Sequence, residues 1–160
     1  KRIVDFCAAN RQFAGNSGVL LLLYTGMRVG EIDSMEFDGK YITCVSEKTR
    51  KGRKDVIRKI PLSPMLKRVM PLIDLEQAKA VSRFTIRDAL KRIFPDRHVH
   101  ELRYTFITRA KECGCNPEIV MKWVGHEYDQ DVKTSRVDRG YTDYSEEYAL
   151  QEINKIDYEL

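Results

Sequence analysis

The stretch LLLYTGMRVGEI, Leu21 to Ile32, decides how the rest of the chain is read. The aliphatic run Val19 to Leu23 falls far short of the ~20 apolar residues that span a membrane. It reads instead as a buried helix that Ser17 can cap. Gly26 and Gly30 bracket Met27-Arg28-Val29, so the helix ends in a turn that presents a guanidinium. Glu31, three residues on, is close enough to orient it. An arginine so held suits a bidentate grip on phosphate. The same pair also reads as a purely structural ion bridge.

Outward from this stretch, the sequence predicts a mainly α-helical α+β domain. Residues 1–13 read as a helix, with Ile3, Val4, Cys7 and Ala8 on one side. Glu31 to Met35 reads as a short helix. Tyr41 to Ser46 and Val56 to Ile60 have strand composition, and the polar segment between them, with Gly52, reads as a hairpin turn. Ser63-Pro64 starts a helix. Thr85 to Phe94, His100 to Lys111 and Pro117 to Val124 are further predicted helices, and Glu127 to Gly140 reads as a loop. The tail, 145–160, carries Ile153, Ile156 and Leu160 at helical spacing and reads as an amphipathic helix that seeks a groove on its own domain or a neighbour's.

The chain has 160 residues, 42% of them apolar, and a net charge of +4. This fits one folded domain and argues against disorder. Four unevenly spaced cysteines, Cys7, Cys44, Cys113 and Cys115, do not make a secreted disulfide scaffold. They read as free thiols of a reducing cytoplasm, and no leader segment is evident. The chain starts on Lys1, so it reads as part of a longer protein. The charge is unevenly placed. Lys48 to Lys59 holds seven basic residues against Asp55, whereas Thr142 to Leu160 holds six acids against Lys155. A basic run reads either as a solvated hairpin or as a patch for a polyanion, nucleic acid first.

Further candidate groups lie along the chain. His100 and Arg103 are three apart on a predicted helix, so an imidazole and a guanidinium share a face and can meet one phosphate. Leu102 and Phe106 turn to the core. His126 follows Val124-Gly125 at a helix end, where it also suits the helix dipole. Tyr141, Tyr144 and Tyr148 follow the loop. Lys48 can donate a proton to a leaving oxygen, and Lys51, Arg53 and Lys54 suit contacts to a DNA backbone.

Taken in order, LLLYTGMRVGEI at 21–32, Lys48 in Glu47-Lys48-Thr49, HELRYTF at 100–106, VGH at 124–126 and YTD at 141–143 resemble the catalytic domain of tyrosine recombinases, the phage-integrase family. The resemblance runs over nearly the whole chain. It implies that 1–160 is a C-terminal catalytic domain without its N-terminal DNA-clamping domain. It assigns Arg28, Lys48, His100, Arg103 and His126 to the site and Tyr141 to the nucleophile. The family's second histidine after the HxxR arginine is Tyr104 here. Tyr141 stands fifteen residues after His126, a longer gap than is usual in the family, so Tyr144 remains the alternative nucleophile.

The resemblance implies cleavage and rejoining of double-stranded DNA through a 3′-phosphotyrosine, with no metal or other cofactor. It further implies integration or excision of a mobile element, a tetramer on DNA, a monomer without it, no membrane, and a cytoplasmic, nucleoid-associated site of action. It places the tail on a neighbouring protomer. Three other readings compete. One is a helix-turn-helix-like binding module over Phe106 to His126. Another is a type IB topoisomerase-like activity. The third is a zinc site from Cys113, Cys115 and His126, which lacks a matching second Cys pair.

Overall fold

The computed structural model describes residues 1–46, 57–125 and 144–158. Its centre is helix α2 (Asn16–Thr25), in which every residue but Leu23 is buried. A helix apolar on all sides has to be wrapped by others. Around it lie α1 (Arg2–Ala9), α3 (Pro64–Val69), α4 (Leu75–Ala80), α5 (Arg83–Ile93) and α6 (Val99–Glu112). Helix α7 (Pro117–Val124) packs against α6, and α8 (Glu146–Asn154) closes the described chain.

The close approach of α5 to α2 depends on Gly15. A Cβ there would collide with the carbonyl oxygen of Thr85 and lie 2.7 Å from Ala89 Cβ. Ser17, predicted as the cap of α2, lies inside the helix, and Gly15 takes the cap position. The Ser17 hydroxyl instead accepts the N–H of Asp74 (3.0 Å), which is itself the cap of α4. A burial-driven helix does not need its own side-chain cap, so the hydroxyl is used in tertiary packing.

The small sheet is antiparallel, in the order β1 (Glu36–Phe37), β2 (Tyr41–Val45), β3 (Ile57–Pro61). Two of these strands match the sequence expectation, while β1 is too short to show alternation. Tyr41 pairs with Pro61 and Cys44 with Arg58. Glu31 to Met35, read as a helix, is a 3-10 turn over Val29–Ser34. Leu102 and Phe106 are buried, as their spacing predicts. The hairpin turn between β2 and β3 and the loop after α7 lie outside the described residues.

The tail helix lies on its own domain in this single chain. Ile153 and Ile156 enter the core. Glu152, also buried, accepts the Asn116 N–H at the start of α7 (2.6 Å) and pairs with Lys155 (2.6 Å). The Cys115 thiol donates to the Glu152 carbonyl (3.2 Å), so this cysteine serves tail packing. Glu146 accepts from Tyr41 Oη (2.5 Å) and Lys40 Nζ (3.2 Å) on the sheet. Arg68 and Asp157 pair at 2.6 Å. No helix among the described residues is long and apolar enough to cross a membrane.

Two tests follow from this packing. Gly15→Ala should destabilise the domain by about 1–3 kcal/mol, because a backbone carbonyl cannot yield as a side chain can; denaturant unfolding reads this directly. The second concerns pH. Burial pushes the Glu152 carboxyl up, but its bonds from Lys155 and the Asn116 N–H bring it below the usual range. Bonds from Tyr41 and Lys40 likewise lower Glu146. A lowered folded value gives stability that is full above the unfolded value, about 4.3, and lost as pH falls through the folded one. Amide exchange, corrected for intrinsic rates, should therefore show α8 losing protection before α2 on acidification below about pH 4.

Candidate active site

The site grows from the end of α2. Gly26, at φ +66°, ends the helix in the left-handed region, and its N–H bonds back to the Leu22 carbonyl (3.1 Å). A Cβ at this position would also meet Phe106 and Val124 at 2.6–2.7 Å. The chain then turns, and Arg28 opens the 3-10 turn as its cap residue. Glu31 folds back onto it. Its Oε2 accepts the Arg28 backbone N–H (2.7 Å) and its Oε1 accepts Arg28 Nη1 (3.0 Å). The expected orientation of Arg28 by Glu31 is thus present, and the carboxylate is wholly buried.

Arg28 Nη2 also donates to the carbonyl of Gly125 (3.3 Å), at the far end of α7. Arg103 reaches the same region from α6, only 1% exposed, with Nη1 donating to the Gly26 carbonyl (2.7 Å). The tertiary structure therefore brings Arg28 and Arg103 together. His100 lies one turn earlier on α6, exposed, with its ring edge-on to Tyr104 at 4.9 Å. The pair shares a helix face, but one member is at the surface and the other deep beneath it.

Sequence reasoning missed Arg58. It counted this residue in the basic surface run, whereas Arg58 is 5% exposed and lies inside the domain. Its Nη2 donates to Glu31 Oε2, and its Nη1 donates to the Trp123 carbonyl. Nη2 also faces Cys44 Sγ (3.4 Å). The signal was available in the period of two along β3. Arg58 and Ile60 point in, while Ile57, 71% exposed, and Lys59 point out.

Three guanidinium groups therefore surround one carboxylate, which leaves a formal excess of two positive charges. Burial, with Arg28 and Arg58 adding to it, lowers the Arg103 guanidinium to about 10, so it stays protonated at neutral pH. Its Nε and Nη2 are buried without a hydrogen-bond partner among the described residues. Orphaned buried donors are costly. An anion with several oxygens, such as a phosphodiester, satisfies both the donors and the charge.

Lys48, His126 and Tyr141 lie outside the described residues, as do the proposed DNA contacts Lys51, Arg53 and Lys54. Tyr144 is described. Its hydroxyl donates to Glu118 (2.5 Å) and accepts from Asn116 (3.4 Å), and the bond to Glu118 raises it above the usual phenol range. That is the N-terminal end of α7, whereas Arg28 bonds the C-terminal end. The described residues hold no cluster of metal-ligating side chains.

Helices wrapped on α2 and a small three-stranded antiparallel sheet define the class: a mainly helical α+β domain with the fold of an integrase catalytic region. In particular, the chain is similar to the Tn1549 transposon integrase (aa 82–397), whose structure was solved in complex with circular intermediate DNA. The TM-score is 0.52 and the identity 17%, over 95% of this chain and 61% of that one. The likeness is one of fold, and the chain spans under two thirds of that structure's length. No protein-family model matches the chain, and no curated protein does.

A cluster of like charges under cover costs stability. Arg103→Met should leave unfolding stability undiminished, because it removes a buried charge repelled by two others. In the same variant the stabilisation of the wild type by inorganic sulfate should disappear. Thermal unfolding across a sulfate titration, with chloride at matched ionic strength, checks both.

Proposed function

We propose that this domain breaks and rejoins double-stranded DNA as a tyrosine-type site-specific recombinase. The observation that carries the reading is the buried cluster of Arg28, Arg58 and Arg103, with two donors of Arg103 unpartnered among the described residues. Phosphodiester attack builds negative charge on the non-bridging oxygens. Fixed guanidinium groups in a water-poor site stabilise that charge more in the transition state than in the ground state. The fold shared with an integrase solved on circular intermediate DNA supports the same partner for this chain.

In this reading Arg28 and Arg103 hold the scissile phosphate, and His126 binds one of its oxygens. Tyr141 attacks phosphorus, forming a phenolic P–O bond while the bond to the 5′-oxygen breaks. His100 takes the tyrosine proton. Lys48 gives a proton to the leaving 5′-oxygen. The product is a 3′-phosphotyrosine and a free 5′-hydroxyl. The ester bond energy is kept in the phosphotyrosine, so a 5′-hydroxyl of a partner strand reseals the DNA by the reverse steps. Four protomers on two sites would exchange the ends of a mobile element, with Lys51, Arg53 and Lys54 on the DNA backbone.

Tyr141 is preferred to Tyr144 as nucleophile. Tyr144 is bonded to a carboxylate at the wrong end of α7, and a raised pKa opposes formation of the attacking phenolate.

Covalent trapping tests the reading. The full-length protein is incubated with nicked duplexes tiling the DNA on either side of its own coding sequence, and denaturation-resistant adducts are mapped by mass spectrometry. We expect an adduct on Tyr141 that Tyr141→Phe abolishes and Tyr144→Phe retains. An adduct on Tyr144 overturns the assignment of the nucleophile. Tight binding with no adduct on any duplex overturns the cleavage reading.

A further inference from the structure

We propose that Arg58 is a positioning residue of this site: it neutralises and clamps Glu31, so that Glu31 aims Arg28 without cancelling its charge. This inference rests on the recombinase reading for its chemistry, but its geometry stands independently.

Three observations carry it. First, an arginine occupies an inward position of β3 where the strand pattern calls for an apolar side chain. A charge so deeply buried is rare unless paired. Second, both bonds from Arg58 to oxygen acceptors go to groups that shape the site. Nη2 meets Glu31, which holds both the backbone N–H and the guanidinium of Arg28. Nη1 meets the Trp123 carbonyl in the last turn of α7, three residues before His126 in sequence. Third, the backbone is shaped to admit the guanidinium. Gly125 stands at φ +65°, and a Cβ there would lie 2.6 Å from Arg58 Cδ, 2.8 Å from Nε and 3.1 Å from Cζ. The glycine of the VGH motif is thus the roof over Arg58, and its carbonyl accepts from Arg28.

The charge argument follows. Arg28 and Glu31 alone form a closed pair with no net charge to offer a phosphate. With Arg58 on the other carboxylate oxygen, the trio carries one net positive charge, and Arg28 is its most exposed member. Removing Arg58 lets Glu31 draw Arg28 into the closed pair. Removing both Arg58 and the Glu31 charge restores the field at Arg28. A residue needed only for packing gives no such recovery.

The test uses the full-length protein with three variants, Arg58→Met, Arg58→Lys and the double Arg58→Met/Glu31→Gln. Single-turnover adduct formation at saturating protein is measured on a duplex the wild type cleaves, beside the DNA dissociation constant. Inorganic sulfate affinity is read from thermal unfolding. Arg58→Met should slow adduct formation about 100-fold with little change in DNA affinity. It should weaken sulfate binding about tenfold. Arg58→Lys, which keeps charge but cannot fork to two acceptors, should also be slow. The double variant leaves no buried charge unpaired on Arg58's account, so it folds even where Arg58→Met does not. It should regain sulfate affinity and cleave at least about tenfold faster than Arg58→Met, one charge's worth of field at Arg28. The proposal is overturned if Arg58→Met cleaves and binds sulfate like the wild type. It is equally overturned if the folded double variant shows no recovery in either measure. If no duplex gives an adduct even with wild type, the recombinase reading fails, while the sulfate measurements still decide the role of Arg58.

Discussion

The Glu31 carboxylate is the hinge of the structure. It is wholly buried, yet it carries a charge, so the fold has to bring cations to it. One comes from the turn after α2, three residues before it, and the other from β3, twenty-seven residues after it. Losing one partner of such a buried bridge costs ~3–5 kcal/mol, because the other charge is left unpaired. The sheet, the central helix and the end of α7 are therefore held in register by one acid. The same acid fixes Arg28, the more exposed of the two.

The remaining architecture serves that point. Helix α2 is buried at every residue but Leu23, so it fills the middle, and the turn at its end presents a guanidinium. Gly26 lets α6 and α7 close on that end. Arg103 then arrives from α6 with a bond to the Gly26 carbonyl, and two of its donors have no partner among the described residues. A domain that keeps three like charges together under cover gives up stability for a preorganised field. The tail helix contributes on the opposite flank, where Glu152 caps the start of α7 and so steadies the helix whose other end meets Arg28 and Arg58.

Several elements were legible in the sequence because their causes are local. Helix α7 has Pro117 at its first position and Gly125 past its end, and its bounds match the sequence expectation. Ser63 caps α3 and Ser145 caps α8 through their own side chains. Elements with weak local signals were missed. Helix α4 is six residues long, β1 is two, and neither shows a full period. Within the candidate site, the Arg28–Glu31 contact and the shared helix face of His100 and Arg103 were legible from spacing. Their depth was not, because spacing gives a face and not a distance from solvent.

By itself the sequence determined the end of α2, the bounds of α7, the glycine turn, the Arg28–Glu31 contact and the pairing of His100 with Arg103 on one face. These are interactions over three or four residues, and backbone geometry fixes them. Only the tertiary structure decided that Arg28 and Arg103, seventy-five residues apart, meet at one place. It alone took Arg58 out of a basic run and set it under Gly125. The reason is that a lone arginine in a strand looks like any surface cation until its carboxylate is brought to it, and that carboxylate lies on a different element.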